Sequence, residues 1–92
     1  METIETLSIE DEAGLAKSIE EGRSVKLTGG LEVHSQWSNY EMNLELLLIT
    51  PDKKRRGHLC RRTGEGGEVI LTKASAALQM ARICLAAARN EI

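Results

Sequence analysis

The sequence predicts an α+β fold: an antiparallel four-stranded β-meander flanked by an N-terminal and a C-terminal helix, in the order α-β-β-β-β-α, as a single compact domain over residues 1–92. Three observations predict it. A run of alternating polarity from Tyr40 to Ile49 stops at Pro51 and is followed by a basic segment ending at Arg62. Gly29-Gly30 separates two shorter alternating stretches. Apolar residues at helical spacing occur near the two ends, over 9–21 and 74–89. A chain of 92 residues supports one domain. A domain of this size buries only about 60–65% of its unfolded surface.

The first helix is expected over 9–21. Ser8 is a candidate N-cap, and Ile9, Ala13, Ala16 and Ile19 follow at helical spacing, with Leu15 widening the stripe. Glu10, Asp11 and Glu12 fall in the first turn, where they oppose the positive end of the helix dipole. Gly22 stands where a left-handed residue ends a helix. Arg23–Thr28 then alternates with Val25 and Leu27 inward, and Gly29-Gly30 is a hairpin signal because both residues take positive φ without cost. Leu31–His34 continues as a second strand, while Ser35–Asn39 is polar around Trp37 and reads as a turn or irregular edge.

The long third strand rests on period two. Tyr40, Met42, Leu44, Leu46 and Leu48 alternate with Glu41, Asn43, Glu45, Leu47 and Ile49. Leu and Glu also favour helix, but the polar residues at 41, 43 and 45 split cleanly to one face of a strand. Leu47 and Ile49 make both faces apolar at its end, which implies cover on both sides or a partner on one. Pro51 removes a donor, the chain turns over Pro51–Gly57, and a shorter basic strand returns through His58–Arg62. Thr63–Gly67 is a flexible, glycine-rich connection. Glu68–Leu71 either extends the sheet or leads into the last helix, capped by Thr72 or Ser75. That helix is alanine-rich, with Ala74, Ala77, Leu78, Ala81, Cys84, Leu85 and Ala88 on one stripe and Met80 and Ile83 widening it toward a second chain. No βαβ unit and no glycine-rich phosphate loop is read, which sets nucleotide-binding folds aside.

Composition narrows the function classes. With one Trp, one Tyr and no Phe, the core must be aliphatic, and stacking on single-stranded bases loses its usual residues. No run approaches the roughly 20 apolar residues that span a bilayer, and the acidic N-terminal segment lacks the pattern of a secretory leader. Cys60 and Cys84 do not make a framework and are read as free thiols in a reducing cytoplasm. The net charge of −2 conceals a segregation: residues 1–22 carry seven acids against Lys17, and residues 53–62 carry six bases and no acid.

No catalytic or metal motif stands out. His58 and Cys60 share a strand face, and with His34 and Cys84 they can be drawn as a zinc set, but the C-x₂-C or H-x₃₋₅-H pairs of zinc sites are missing. A Cys–His nucleophile pair lacks any mark of an activated thiolate. Glu41 and Glu45 read more simply as cross-strand partners of Arg61 and Arg62 than as acid–base groups. Neither an enzymatic function nor a cofactor, metal or small-molecule substrate is therefore expected. The basic set Lys53, Lys54, Arg55, Arg56, Arg61 and Arg62 carries the most information. Bases guard a sheet edge against aggregation, but four in a row at a hairpin tip exceed that need and suit a phosphate backbone or an acidic protein surface. Glu10, Asp11, Glu12, Glu20 and Glu21 make an acidic helix face, either plainly solvated or docked in a basic groove. Trp37 is open to two roles, core packing or interface anchor.

In its short length, split charge and apparent element order, the chain resembles the small inhibitors that phages encode, above all anti-CRISPR proteins that act on type I-F effector complexes. The resemblance is one of type over the whole chain; those inhibitors share no motif, so it assigns no residue. It implies a protein of the bacterial host cytoplasm that binds a multi-subunit Cas protein–crRNA complex and blocks target DNA. In that setting Lys53–Arg56 would touch guide RNA phosphates or the DNA path, and the acidic helix would meet DNA-holding bases. The alternative is a stand-alone nucleic-acid-binding accessory protein acting through the basic hairpin.

Overall fold

The computed structural model describes residues 4–38, 42–54, 56–65, 68–69 and 71–89. The elements run β1 (Glu5–Leu7), α1 (Glu12–Glu20), β2 (Val25–Leu27), β3 (Glu32–Ser38), β4 (Asn43–Ile49), β5 (Arg56–Arg62), β6 (Gly64–Glu65), β7 (Glu68–Val69) and α2 (Lys73–Ala88). The fold is α+β with two helices, as expected, but its main sheet has five strands in the order β1-β2-β3-β4-β5. β1 lies parallel to β2, and the other pairs are antiparallel. The sheet is therefore mixed, and β1-α1-β2 is the βαβ unit that the sequence was not expected to contain. Three residues are too few to display a period, and only Leu7 of β1 is buried.

Helix α1 starts three residues later than the Ser8 cap implies. Ser8 instead closes a turn: its carbonyl accepts from the Asp11 N–H at 3.0 Å and its hydroxyl from the Glu10 N–H at 3.1 Å. Asp11 is the N-cap, its Oδ1 accepting from the Gly14 N–H at 2.9 Å. The C-terminal end forms as expected. Gly22 has φ +74°, its N–H donates to Ile19 O, and the Arg23 N–H donates to Ser18 O, which is the Schellman pattern. The buried face is Leu15, Ser18 and Ile19; Ala13 is exposed. Ser18 is tolerated there because its hydroxyl donates to Gly14 O at 3.0 Å.

Val25 and Leu27 point inward as expected. The Leu27 N–H donates to Leu31 O, so Thr28, Gly29 and Gly30 form the connecting turn, both glycines at φ above +100°. β3 then runs on through the segment expected to be irregular. Its outer-face residues His34, Gln36 and Ser38 are polar, which hides the strand, while Trp37 lies opposite Leu44 and packs half-buried against the core. A Cβ at Gly30 would lie 2.8 Å from Pro51 Cγ, whereas one at Gly29 meets nothing. Gly30→Ala should therefore cost more than the roughly 1–3 kcal/mol of a strained backbone alone, read from the urea midpoint at constant m. Gly29→Ala supplies the backbone part by itself; equal losses would mean the Pro51 contact contributes nothing.

β4 buries Leu44 and Leu46, as its period requires, and half-buries Leu48. Its expected first residues Tyr40 and Glu41, and Arg55 in the following turn, lie outside the described residues. β5 is not shorter than β4: both have seven residues, paired from Asn43↔Arg62 to Ile49↔Arg56. β6 and β7 form a separate two-stranded sheet and do not extend the main one. Thr72, rather than Ser75, caps α2, its Oγ1 accepting from the Ser75 N–H at 3.1 Å.

Both helices cover one face of the sheet. α2 buries Ala76, Ala77, Met80, Ala81, Cys84 and Leu85. Ala74 of the expected stripe is exposed, and Met80 belongs to the core, leaving Ile83 as the exposed large apolar residue of this helix. The small alanines let α1 and α2 pack closely, and Arg82 Nε joins Glu12 Oε1 at 3.0 Å across them. Among the described residues no helix is long and apolar enough to cross a membrane.

Candidate interaction surface

β5 is an edge strand, and that position exposes its charge. Every residue of β5 but the half-buried Leu59 is exposed. Lys53 and Lys54 stand on the preceding turn, which Asp52 shapes by accepting from the Thr50 hydroxyl at 2.6 Å and the Lys54 N–H at 3.0 Å. Lys53 itself takes φ +61°. Arg56 opens the strand, while Arg61 and Arg62 close it about 17–20 Å away. The described bases thus form a line along the edge that begins at the tip of the β4–β5 hairpin, where Lys53, Lys54 and Arg56 stand as their spacing in sequence implies.

The register divides this line between two faces. Arg56, His58, Cys60 and Arg62 share the outer face with Ile49, Leu47, Glu45 and Asn43, while Arg61 lies on the helix side opposite Leu44. The expected pairing of Glu45 with both arginines therefore fails for Arg61, which is on the other face. Glu45 faces Cys60, with Arg62 only a diagonal neighbour. The ion pairs among the described residues involve Arg23, His34 and Arg82 with Glu5, Glu21, Glu32 and Glu12; none includes Lys53, Lys54, Arg56, Arg61 or Arg62. Among the described residues, then, no acid neutralises these five charges.

The acidic set is less available. Asp11 is engaged as a cap, Glu12 with Arg82, and Glu21 with Arg23 at 2.9 Å. Glu10 is exposed and Glu20 half-buried. Trp37 is packed on its helix side, where Lys73 Nζ sits 5.3 Å from the ring centroid. Half-buried in this way, it offers a partner only part of its ring.

The His and Cys residues do not assemble. His34, His58 and Cys60 lie on the outer face, but Cys84 is fully buried within the helix layer on the other side of the sheet. Burial pushes the Cys84 thiol from 9.0 up to about 12, the reverse of activation. Among the described residues no group of three or more His, Cys, Asp or Glu is placed to hold a metal ion.

One constellation was not read from the sequence. His34 Nδ1 lies 2.8 Å from Ser24 Oγ and its Nε2 lies 3.3 Å from Glu32 Oε2. The order hydroxyl–imidazole–carboxylate matches nucleophilic chemistry, and the spacing of Glu32 and His34 was its only signal. The nearby groove of about 260 Å³ is lined by His34, Gln36, Leu47 and His58 but not by Ser24, so this groove does not hold an acyl group over the hydroxyl. A second cleft of about 360 Å³ lies between the turns at Gly29 and Pro51 and the end of α2; Asp52, the acid among its described lining residues, is committed to its turn.

No protein-family model matches the chain, and no curated protein or solved structure is significantly similar to it.

Proposed function

We propose that this is a non-enzymatic binding protein that docks on a polyanionic surface of a larger assembly through the basic edge formed by Lys53, Lys54, Arg56, Arg61 and Arg62. One observation carries the proposal: five exposed bases along an open edge strand and the turn that leads into it, none in an ion pair among the described residues. Charges arranged in this way steer and hold a negatively charged partner. The resemblance to small phage inhibitors supplies the target, an RNA-guided CRISPR surveillance complex whose access to DNA the bound protein would block. The chain's own net charge of −2 opposes tight binding to naked nucleic acid and favours this target over the stand-alone accessory role.

The test compares the two targets directly. Binding to a purified type I-F Cas protein–crRNA complex, and to the same RNA and duplex DNA free, is measured from low to physiological salt. The complex should bind and lose its affinity for target DNA. Alanine at all five bases should weaken that binding by about 100-fold or more, as expected when several charged contacts are lost together. Binding to free duplex with a log–log salt slope of about −4 to −5, reduced by about 1 for each base removed, would instead establish the accessory role. Unchanged binding by the five-alanine variant would reject the basic edge as the docking surface.

A further inference from the structure

We infer that the open edge of β5 accepts an extended acidic peptide segment as an added strand of the sheet. The hydrogen-bond parity of the strand sets which groups are on offer. The Thr63 N–H donates to Met42 O at 2.8 Å, one step beyond the pair Asn43↔Arg62. Antiparallel ladders alternate, so the odd-numbered residues of β5 turn their N–H and C=O groups toward β4. Arg56, His58, Cys60 and Arg62 turn theirs away from the sheet, and among the described residues no backbone bond outside the ladder reaches them. The β4–β5 register is continuous over all seven pairs, with no bulge. β5 has no proline, and nothing in the main sheet lies beyond it. Edges of this length are usually blunted or covered, because they template strand addition.

Charge selects the occupant. A second copy added antiparallel about Leu59 would set Arg56 opposite Arg62 at both ends, and like charges directly opposite each other destabilise a pair. The same arginines that discourage self-pairing favour carboxylates across from them. A strand with acids opposite Arg56 and Arg62 on the outer face and an apolar residue opposite Leu59 on the helix side satisfies both charge and backbone. The inference goes beyond the proposed docking in requiring a polypeptide partner and main-chain pairing, and it does not depend on which assembly is bound.

The probe is a nine-residue peptide of alternating Glu and Val, with amide exchange of the whole protein read by NMR. At saturating peptide the amides of Arg56, His58, Cys60 and Arg62 should slow by about tenfold, because each gains a hydrogen bond. Those of Gly57, Leu59 and Arg61, already bonded to β4, should change little. A peptide of the same charge with Pro in place of Val cannot pair and should produce no alternation. Cys60→Pro deletes an outward N–H while leaving every charge and every bond to β4 in place, and should weaken peptide binding by about tenfold. If that variant does not fold, a peptide N-methylated at alternate positions makes the same test from the other side. Absence of binding, equal slowing of odd and even residues, or undiminished binding of the Pro peptide would overturn the inference. These probes preserve the protein's charges, so such a failure leaves the five-alanine test of the proposed docking intact.

Discussion

Leu44→Ala should destabilise the protein by roughly 3–5 kcal/mol, the range for a buried leucine whose cavity cannot collapse. Leu44 has no accessible surface, lies between Trp37 of β3 and Arg61 of β5, and is roofed by α2. A domain of 92 residues holds only about 5–15 kcal/mol in total, so the variant should unfold at a much lower urea concentration with m unchanged. Leu47 is the control. It is the same residue type on the same strand, but it points to the uncovered face and is half-buried. Leu47→Ala should cost about 1 kcal/mol or less, in line with partial burial. Losses of equal size would mean that the outer face is covered in solution.

The second large effect is alkaline. Cys84 is fully buried, and its thiol is held protonated up to about 12 instead of 9.0. In the unfolded chain the same thiol ionises near its ordinary value. Above that point the unfolded state binds fewer protons than the folded one, so stability falls as pH rises. Below pH 9 the group contributes no pH dependence; between 9 and about 12 it removes up to ~1.4 kcal/mol for each pH unit. The measurement is the urea midpoint from pH 8 to 11 for the native chain and for Cys84→Ala. Lysine titration acts on both proteins, so the difference in slope isolates Cys84. Parallel profiles would show that the thiol ionises as easily folded as unfolded. At pH 8 Cys60, exposed on β5, should alkylate readily, while Cys84 should react only through opening of the helix layer.

Some features of this fold are decided within a few residues and were legible for that reason. Gly22 ends α1 and Gly29-Gly30 turn the chain because positive φ is cheap for glycine alone. The cap of α2 was narrowed to Thr72 or Ser75, and the structure selects Thr72. The period of Leu44, Leu46 and Leu48 assigned β4 and its inward face, since alternate side chains of a strand cannot share one side.

Other features were hidden because the local pattern pointed elsewhere. Ile9 fits a helical stripe, yet Ser8 and Asp11 spend their polar groups on a turn and a cap. Ser35 interrupts the apolar face of β3 between Val33 and Trp37; its hydroxyl donates to Arg23 O at 3.2 Å, a partner twelve residues distant. The charge of the candidate surface and its tip at Lys53 and Lys54 could be read from the sequence, but not how far the edge runs beyond it. Pairing with β4 holds the following residues extended for seven pairs.

By itself, then, the sequence determined two helices, the inward faces of the central strands, the turn at Gly29-Gly30 and the segregation of charge, all properties of local sterics and hydrophobic period. The tertiary structure alone decided the parallel pairing of β1, the full length of β3 and β5, and the exposure of β5 as an edge. Those depend on main-chain hydrogen bonds to distant segments, which leave little trace in the side chains that make them.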